Sequence, residues 1–407
     1  MKILHVSESL IGGLASYLEE IIPHQTAQFG ADNVVLLVPA AQREHIASLN
    51  GCAIETFHRT GRNLSSMLAL GSAIRQSIQR HDPDVVHLHS SIAGGMGRLV
   101  IAAMRRKPHV VYCAHCWAFD RPEQTFATRF WMALERMLTR RADAIVSISP
   151  HEEEVLRRAR FPLAKTRLIV SGMQDLVHGQ TAQRGAAKRV GPWRLLFVGR
   201  LDRQKGVDLL LREYELLKQK RASLSLVGSK IVNSSRLVVP PEVHVSGWVP
   251  RETLPALFEE YDAIIMPSRW EGMPLLAIEA LRSGRILICS NHGAFPHFIQ
   301  DGVNGILIDI ATTGWLGKAL KVLEHSDLAA MSAAARTTYL AMFAPDRMNQ
   351  GLIELYESLV KRPRLQSEAT ATPRDRLPVP ERVVHSTAMG RDRHGGGQLD
   401  TLERPAG

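Results

Sequence analysis

Two glutamates eight positions apart, Glu271 and Glu279, sit in the stretch Trp270-Glu271-Gly272-Met273-Pro274-Leu275-Leu276-Ala277-Ile278-Glu279-Ala280-Leu281. The second stands alone among apolar neighbours, and a buried carboxylate must be paired or change its protonation state. Pro274 suits the first position of a helix, where its missing N–H costs nothing. That break puts Glu271 in a loop after the apolar run 262–268 and Glu279 in the second turn of a helix. The N–H groups around Gly272, Met273 and Leu275 are then free donors at a helix start, suited to phosphate. Glu279 has two readings: an acceptor for the vicinal hydroxyls of a ribose, or a salt bridge, for example with Arg282 at i+3.

A second group lies in Phe197-Val198-Gly199-Arg200-Leu201-Asp202-Arg203-Gln204-Lys205-Gly206. Arg200 and Lys205 fall between a strand end and a helix start, where an open α/β sheet binds anions. Two cations there suit a diphosphate, and they also read as ordinary solvated surface charges. Gly12 and Gly13, after the first strand, allow a ligand close to the backbone or make a tight turn; the dinucleotide fingerprint G-x-G-x-x-G is absent. His115 ends a strand, facing a cleft or packing behind it. It lies in a lone C-x-x-C, Cys113 to Cys116, near His87 and His89. With no second cysteine pair, metal or redox chemistry is the weaker reading. On helix 124–141, Phe126, Phe130, Ala133 and Met137 share one face, read as core. Trp131, Arg129, Arg136 and Arg140 lie off it and, with Arg105-Arg106-Lys107, make either a solvated basic face or a surface for an anionic membrane.

The elements that must position these groups follow from periodicity. Strands are expected at the N-terminus and at 33–40, 84–91, 109–115, 142–149 and 166–172, with helices at 14–28, 64–80 and 126–140. They are Val/Ile-rich runs without alternation, as in a parallel sheet covered on both faces. A polar, Gly-containing stretch at 177–192 reads as a linker. The pattern then restarts, with strands at 193–200, 224–229, 243–249, 262–268, 285–291 and 304–310 between helices at 206–219, 251–260, 274–284 and 312–324. Helices at 327–343 and 346–361 follow. From about 363 the chain turns rich in Pro, Gly and charge, which reads as a disordered tail. Two tandem βαβ-type domains fit the 407 residues, and 45% hydrophobic content supplies their cores. Four cysteines make no disulfide framework. No run spans a membrane and the first residues lack signal-peptide character, so a cytoplasmic location is expected. A net charge of +10 and a pI near 9.7 favour an anionic partner. The charge is dispersed without a nucleic-acid motif, so nucleic acid is not the expected one.

Taken in order, the Gly pair, the strand Asp84-Val85-Val86-His87-Leu88-His89-Ser90, His115, the Arg200–Gly206 loop, the Glu271-x7-Glu279 element and the segment 293–308 resemble the retaining glycosyltransferases of family 4 (group 1) over residues 1 to about 361. The resemblance implies an α/β GT-B fold, two Rossmann-like domains facing a cleft. Residues 1–176 would form the acceptor-side domain, 177–192 the linker, 193–343 the nucleotide-sugar domain, and 344–362 a helix crossing back to the first domain, with 363–407 the tail. Arg200 and Lys205 would contact the donor diphosphate, Gly12 and Gly13 would line it, and Gly272, Met273 and Leu275 would belong to the same donor site. Glu279 would hold the ribose, while Glu271 and His115 would stand at the reacting sugar. The resemblance implies no cofactor and no metal. The acceptor would be a saccharide or lipid-linked, in exopolysaccharide, lipopolysaccharide or other glycoconjugate synthesis, with peripheral contact at the inner face of the membrane. A nucleotide-sugar epimerase of similar architecture is the alternative. Two positions depart from the family pattern: Ser171 stands where Asn is common, and His297 where Glu is common.

Overall fold

The computed structural model describes residues 1–361, except 11, 47, 48, 50, 122, 124, 177–190, 218–220 and 230–236. The expected tail and nearly all of the expected linker therefore lie outside the described residues. The described chain folds into one compact unit built on two parallel sheets.

The first sheet comes from β1 (Ile3–Ser7), β2 (Val34–Pro39), β3 (Ala53–Phe57), β4 (Val85–His89), β5 (His109–Cys113), β6 (Ala144–Ser147) and β7 (Thr166–Leu168), in spatial order β3-β2-β1-β4-β5-β6-β7. Its crossovers are α1 (Gly13–Phe29), α2 (Leu64–His81), α3 (Ser91–Ala102), α4 (Phe126–Leu138) and α5 (Pro150–Arg158). The second sheet joins β8 (Trp193–Val198), β9 (Ala222–Val227), β10 (His244–Ser246), β11 (Ala263–Met266), β12 (Ile286–Ser290) and β13 (Ile306–Ile308), in order β10-β9-β8-β11-β12-β13. Its helices are α6 (Val207–Glu215), α7 (Leu254–Glu259), α8 (Leu275–Arg282) and α9 (Trp315–His325), followed by α10 (Leu328–Met342) and α11 (Pro345–Val360). Every residue of β1, β2, β4, β6, β11 and β12 is buried, which explains their continuous apolar runs.

In each sheet the chain builds outward in one direction and then returns to build the other way. The reversals fall between β1 and β4 and between β8 and β11. A crevice opens outside the carboxyl ends of the strands at such a point. The Arg200–Lys205 loop follows β8 and the Glu271 loop follows β11, so the topology places both at one crevice. The Gly12–Gly13 turn follows β1 and the Ser90 turn follows β4.

Three elements were not expected from the sequence. Strand β3, at the sheet edge, has only Phe57 fully buried. Helix α3 carries Gly94, Gly95 and Gly97, residues that weaken a helix by about 1 kcal/mol each. Two of these glycines answer to packing: a Cβ on Gly94 would lie 2.2 Å from the Tyr112 ring, and one on Gly97 2.4 Å from Leu88. The short α5 starts at Pro150 and is capped by Ser149, whose hydroxyl accepts from the Glu152 N–H at 3.1 Å.

The face of α4 expected to be core is not. Phe126, Phe130 and Met137 are 87, 56 and 57% exposed, and Ala133 is exposed as well. The helix is anchored by the opposite face, through Thr128, Glu135 and Leu138. Glu135 accepts from the fully buried Arg98 at 2.6 Å and from the Tyr112 hydroxyl at 3.0 Å. A buried charge pair roots this helix, and hydrophobic periodicity alone does not reveal such a pair.

After β7 the chain turns through Gly172, whose missing Cβ would meet Ala344 O at 2.8 Å and Pro345 Cα at 2.9 Å. Helix α11 starts at that contact and packs along α1, and its Tyr356 hydroxyl reaches His87 Nδ1 in β4 at 2.7 Å.

Candidate active site

The Glu271 loop is held on both sides. A Cβ on Gly293, which has φ +62°, would fall 2.6 Å from Glu271 O, so this position must stay glycine for the two backbones to meet. On the other side Gly272 O accepts from the Ser149 hydroxyl at 2.6 Å. The missing Cβ of Gly272 leaves room for Glu152 Oε1 and the backbone of Cys116, at 2.8 and 3.1 Å from where it would stand. Residues of both sheets thus meet at Gly272.

Lys205 donates to Glu271 Oε1 at 2.6 Å. The carboxylate is nearly buried and the ammonium one-fifth exposed. Arg200 lies in the same loop, donating to Gln204 Oε1 at 2.7 Å and 3.3 Å from Asp202. Gln204 in turn donates to Trp270 O, and Arg269 N–H to Gln204 O, which staples the two loops together. Met273 and Leu275 are buried at the head of α8, and Leu275 packs 3.5 Å from where a Cβ of Gly13 would lie. The structure therefore brings Gly13, Lys205, Glu271, Gly272, Met273 and Leu275 together. Gly12, with φ +81° and open space around its Cα, faces no protein atom within 4 Å of a would-be Cβ.

Glu279 is buried in α8, and its partner is Arg251 rather than Arg282. Arg251 Nε donates to Glu279 Oε1 at 2.6 Å, while the same guanidinium reaches Glu19 at 3.2 Å and Glu20 at 3.0 Å on α1. Arg282 is turned away to donate to Gln174 O at 2.7 Å. Burial pushes the Glu279 carboxyl up, and Arg251 pulls against it. Arg251 gave no signal in the sequence because it lies 28 residues upstream and its other partners lie far along the chain.

His115 sits just past β5 with φ +56°, a left-handed backbone unusual for a side-chain-bearing residue and often found at functional sites. Its Nε2 is 2.9 Å from His89 Nδ1, and its ring stands edge-on to Tyr17 at 4.7 Å. Burial lowers its pKa to about 3, so the ring is neutral. Behind it His5, His87 and His89 have ring nitrogens within 4.8 Å of one another. Hydrogen bonds already occupy five of those six nitrogens, leaving His87 Nε2. The cysteines of the C-x-x-C are free thiols.

Sequence reasoning also missed Glu152. It is buried beside Gly272, accepts from Ile148 N–H at 3.1 Å through Oε2, and leaves Oε1 without a partner. Burial pushes its pKa up to about 7. The S-x-x-E cap at 149–152 was the available signal. Of the two departures, Ser171 donates its N–H to Ile148 O at 3.1 Å with its hydroxyl unpartnered, and His297 lies 4.0 Å from Glu154.

Residues 192–325 match the family described as glycosyl transferases group 1, and residues 11–174 match glycosyltransferase family 4. The chain belongs to the group 1 glycosyltransferases. An uncharacterised 41.2 kDa protein in the cps region of Klebsiella pneumoniae is 30% identical over 80% of this chain and 89% of its own. An Escherichia coli relative is 22% identical over 74% of this chain and 82% of its own; it is named UDP-Gal:alpha-D-GlcNAc-diphosphoundecaprenol alpha-1,3-galactosyltransferase. Among solved structures, sucrose-phosphate synthase from Thermosynechococcus elongatus superposes with a TM-score of 0.75 at 19% identity, covering 88% of this chain and 99% of that one. Anabaena HepE in complex with UDP-glucose superposes at 0.71 and 18% identity, over 88% and 100%. The fold of this group 1 glycosyltransferase is GT-B.

Proposed function

We propose that this glycosyltransferase moves a sugar from a nucleoside diphosphate to a hydroxyl of a saccharide or lipid-linked acceptor, with retention at the anomeric carbon. The observation that carries the reading is the Lys205–Glu271 pair beside the head of α8, at the crevice between β8 and β11, with Arg200 in the same loop as Lys205. In the reaction the bond from sugar C1 to the β-phosphate oxygen breaks, and the acceptor oxygen bonds C1 on the same face. The acceptor proton passes to the departing phosphate, and the nucleoside diphosphate leaves. Fixed cations and helix-terminal N–H groups stabilise the charge growing on that phosphate. Lys205 trades Glu271 for phosphate when donor binds, which frees Glu271 to face the positive charge developing on the ring. Glu279, oriented by Arg251, takes the ribose hydroxyls, and His115 faces the transferred sugar. Arg200 and Lys205 carry the phosphate charge that a divalent metal would otherwise carry, so no metal is required. Residues 1–176 and 193–343 act as the acceptor-side and donor-side domains. The HepE complex with UDP-glucose and the named UDP-Gal specificity of the E. coli relative support a uridine donor.

Helix α4 favours a peripheral site of action at the inner face of a membrane. Its outward face carries Phe126, Phe130 and Met137, with Trp131 exposed beside them. Arg136, Arg140, Arg160 and Lys165 line an open groove at its C-terminal end. That pairing suits an anionic surface and a diphosphate-linked lipid. No helix among the described residues is long and apolar enough to cross a membrane.

A thermal-shift screen of nucleotide sugars tests the donor reading. One nucleotide sugar should raise the melting temperature of the wild type and not of Lys205→Ala, since a ligand of the native state stabilises it. Equal shifts in both proteins would count against it.

A further inference from the structure

His115 is the end of a buried chain of rings. Its Nε2 meets His89 Nδ1 at 2.9 Å, His89 Nε2 meets His5 Nδ1 at 3.0 Å, and His5 Nε2 meets Gln25 Oε1 at 2.7 Å. His5, His89 and Gln25 are fully buried, so no water competes for the two inner contacts, and His115 at the outer end is partly buried. Topology explains the row: His5 and His87 are register partners on β1 and β4, and His89 lies two residues on, on the same face of the sheet.

A neutral imidazole has one donor and one acceptor nitrogen. In a closed series the direction of one bond dictates all the others. The Gln25 carbonyl only accepts, so His5 carries its proton on Nε2 and offers Nδ1. His89 must then donate through Nε2 and accept at Nδ1, and His115 must donate through Nε2. From these distances we infer that Gln25 is a positioning residue: through His5 and His89 it fixes His115 in the Nε2–H tautomer and leaves Nδ1 as a bare acceptor. Reversing His115 alone would set its bare Nε2 against the bare Nδ1 of His89, two lone pairs face to face.

Burial keeps the rings neutral, which the series requires: the His5 pKa falls to about 4, and that of His89 lies well below its ordinary value. The left-handed backbone of His115 adds a reason for the tether, because a strained residue stays in place only where its surroundings hold it. An acceptor nitrogen facing the cleft binds a sugar hydroxyl and repels a carbonyl or phosphate oxygen. This last role rests on the proposal that His115 faces the transferred sugar; the tautomer chain itself does not.

The test uses the full chain labelled with ¹⁵N-histidine, with ring nitrogens assigned through His5→Gln, His89→Gln and His115→Gln. Long-range ¹H–¹⁵N spectra should show all three rings protonated at Nε2. Gln25→Met, similar in volume and only a weak acceptor through its thioether, should mix the tautomers and lower kcat about tenfold, with the donor KM within about twofold. Gln25→Glu, which keeps an acceptor, should restore the single pattern. A wild-type His115 protonated at Nδ1 overturns the inference, as does a pattern unchanged in Gln25→Met. Metal-bound ring shifts with stoichiometric metal in the purified chain would also overturn it. A mixed pattern with normal kcat in Gln25→Met overturns the positioning role and leaves the donor site standing.

Discussion

At Lys205 the site balances its own charge. The ammonium and the Glu271 carboxylate are 2.6 Å apart, with the carboxylate almost sealed from water. Removing the lysine therefore leaves a buried carboxylate unpaired as well as a phosphate unmet. Lys205→Ala should lose at least about 100-fold in kcat/KM. Glu152 makes a different prediction. Its pKa of about 7 lies above the ordinary carboxylate value, so between pH 4.5 and 7 the folded state holds a proton that the unfolded chain has released. Stability therefore falls as pH rises through that window, by on the order of 3 kcal/mol once ionisation is complete. Glu152→Gln should melt higher than wild type at pH 8 and no higher at pH 5. A difference that ignores pH would show that the carboxyl does not titrate there. At this scale the sequence placed Lys205, Glu271 and Gly272 in loops that follow strands β8 and β11, because strand ends and helix starts are written in the local chain. It was silent where the partner comes from elsewhere in the fold, as Arg251 does for Glu279.

Among elements, α4 separates pattern from placement. Its strongest apolar stripe points outward, because the Glu135–Arg98 pair with Tyr112 roots the other side. A helix with an aromatic face beside Arg129, Arg136 and Arg140 is suited to the headgroup region of an anionic bilayer. The double variant Phe126→Ser, Phe130→Ser should lose most of its cosedimentation with phosphatidylglycerol vesicles while keeping its melting temperature, since neither ring is buried. Binding by the double variant equal to wild type would remove the membrane reading. Strands and long helices were legible because buried parallel strands and amphipathic helices each print a period. Helix α3 was not: its glycines serve Tyr112 and Leu88 across an interface, against the local preference of the chain.

For the whole molecule, two sheets with reversed winding meet across Gly272, Arg251 and the start of α11. The resemblance in the sequence captured this architecture, because the order of its short motifs follows the order of the strand ends. It did not disclose the histidine core behind the cleft. Four neutral rings, His5, His87, His89 and His115, have pKa values held down by burial. The unfolded chain takes up their protons below about pH 6.5 and the folded one does not. Their contribution is thus present above that pH and lost as pH falls from 6.5 towards 4. Urea unfolding of the wild type should weaken across that range, and His5→Gln should flatten the dependence; an equally steep slope in the variant would exclude His5 as a contributor.

The central claim is that a nucleotide sugar is held at the β8–β11 crevice and passed to an acceptor. The direct measurement is nucleoside diphosphate release by wild type, Lys205→Ala and Glu279→Ala, using the donor found by thermal shift, with and without a diphosphoprenol-linked sugar. Acceptor-dependent release by wild type, with both variants folded and nearly inactive, is the predicted result. Full activity in both variants, or conversion of the donor to free sugar or an epimer without acceptor, would contradict it.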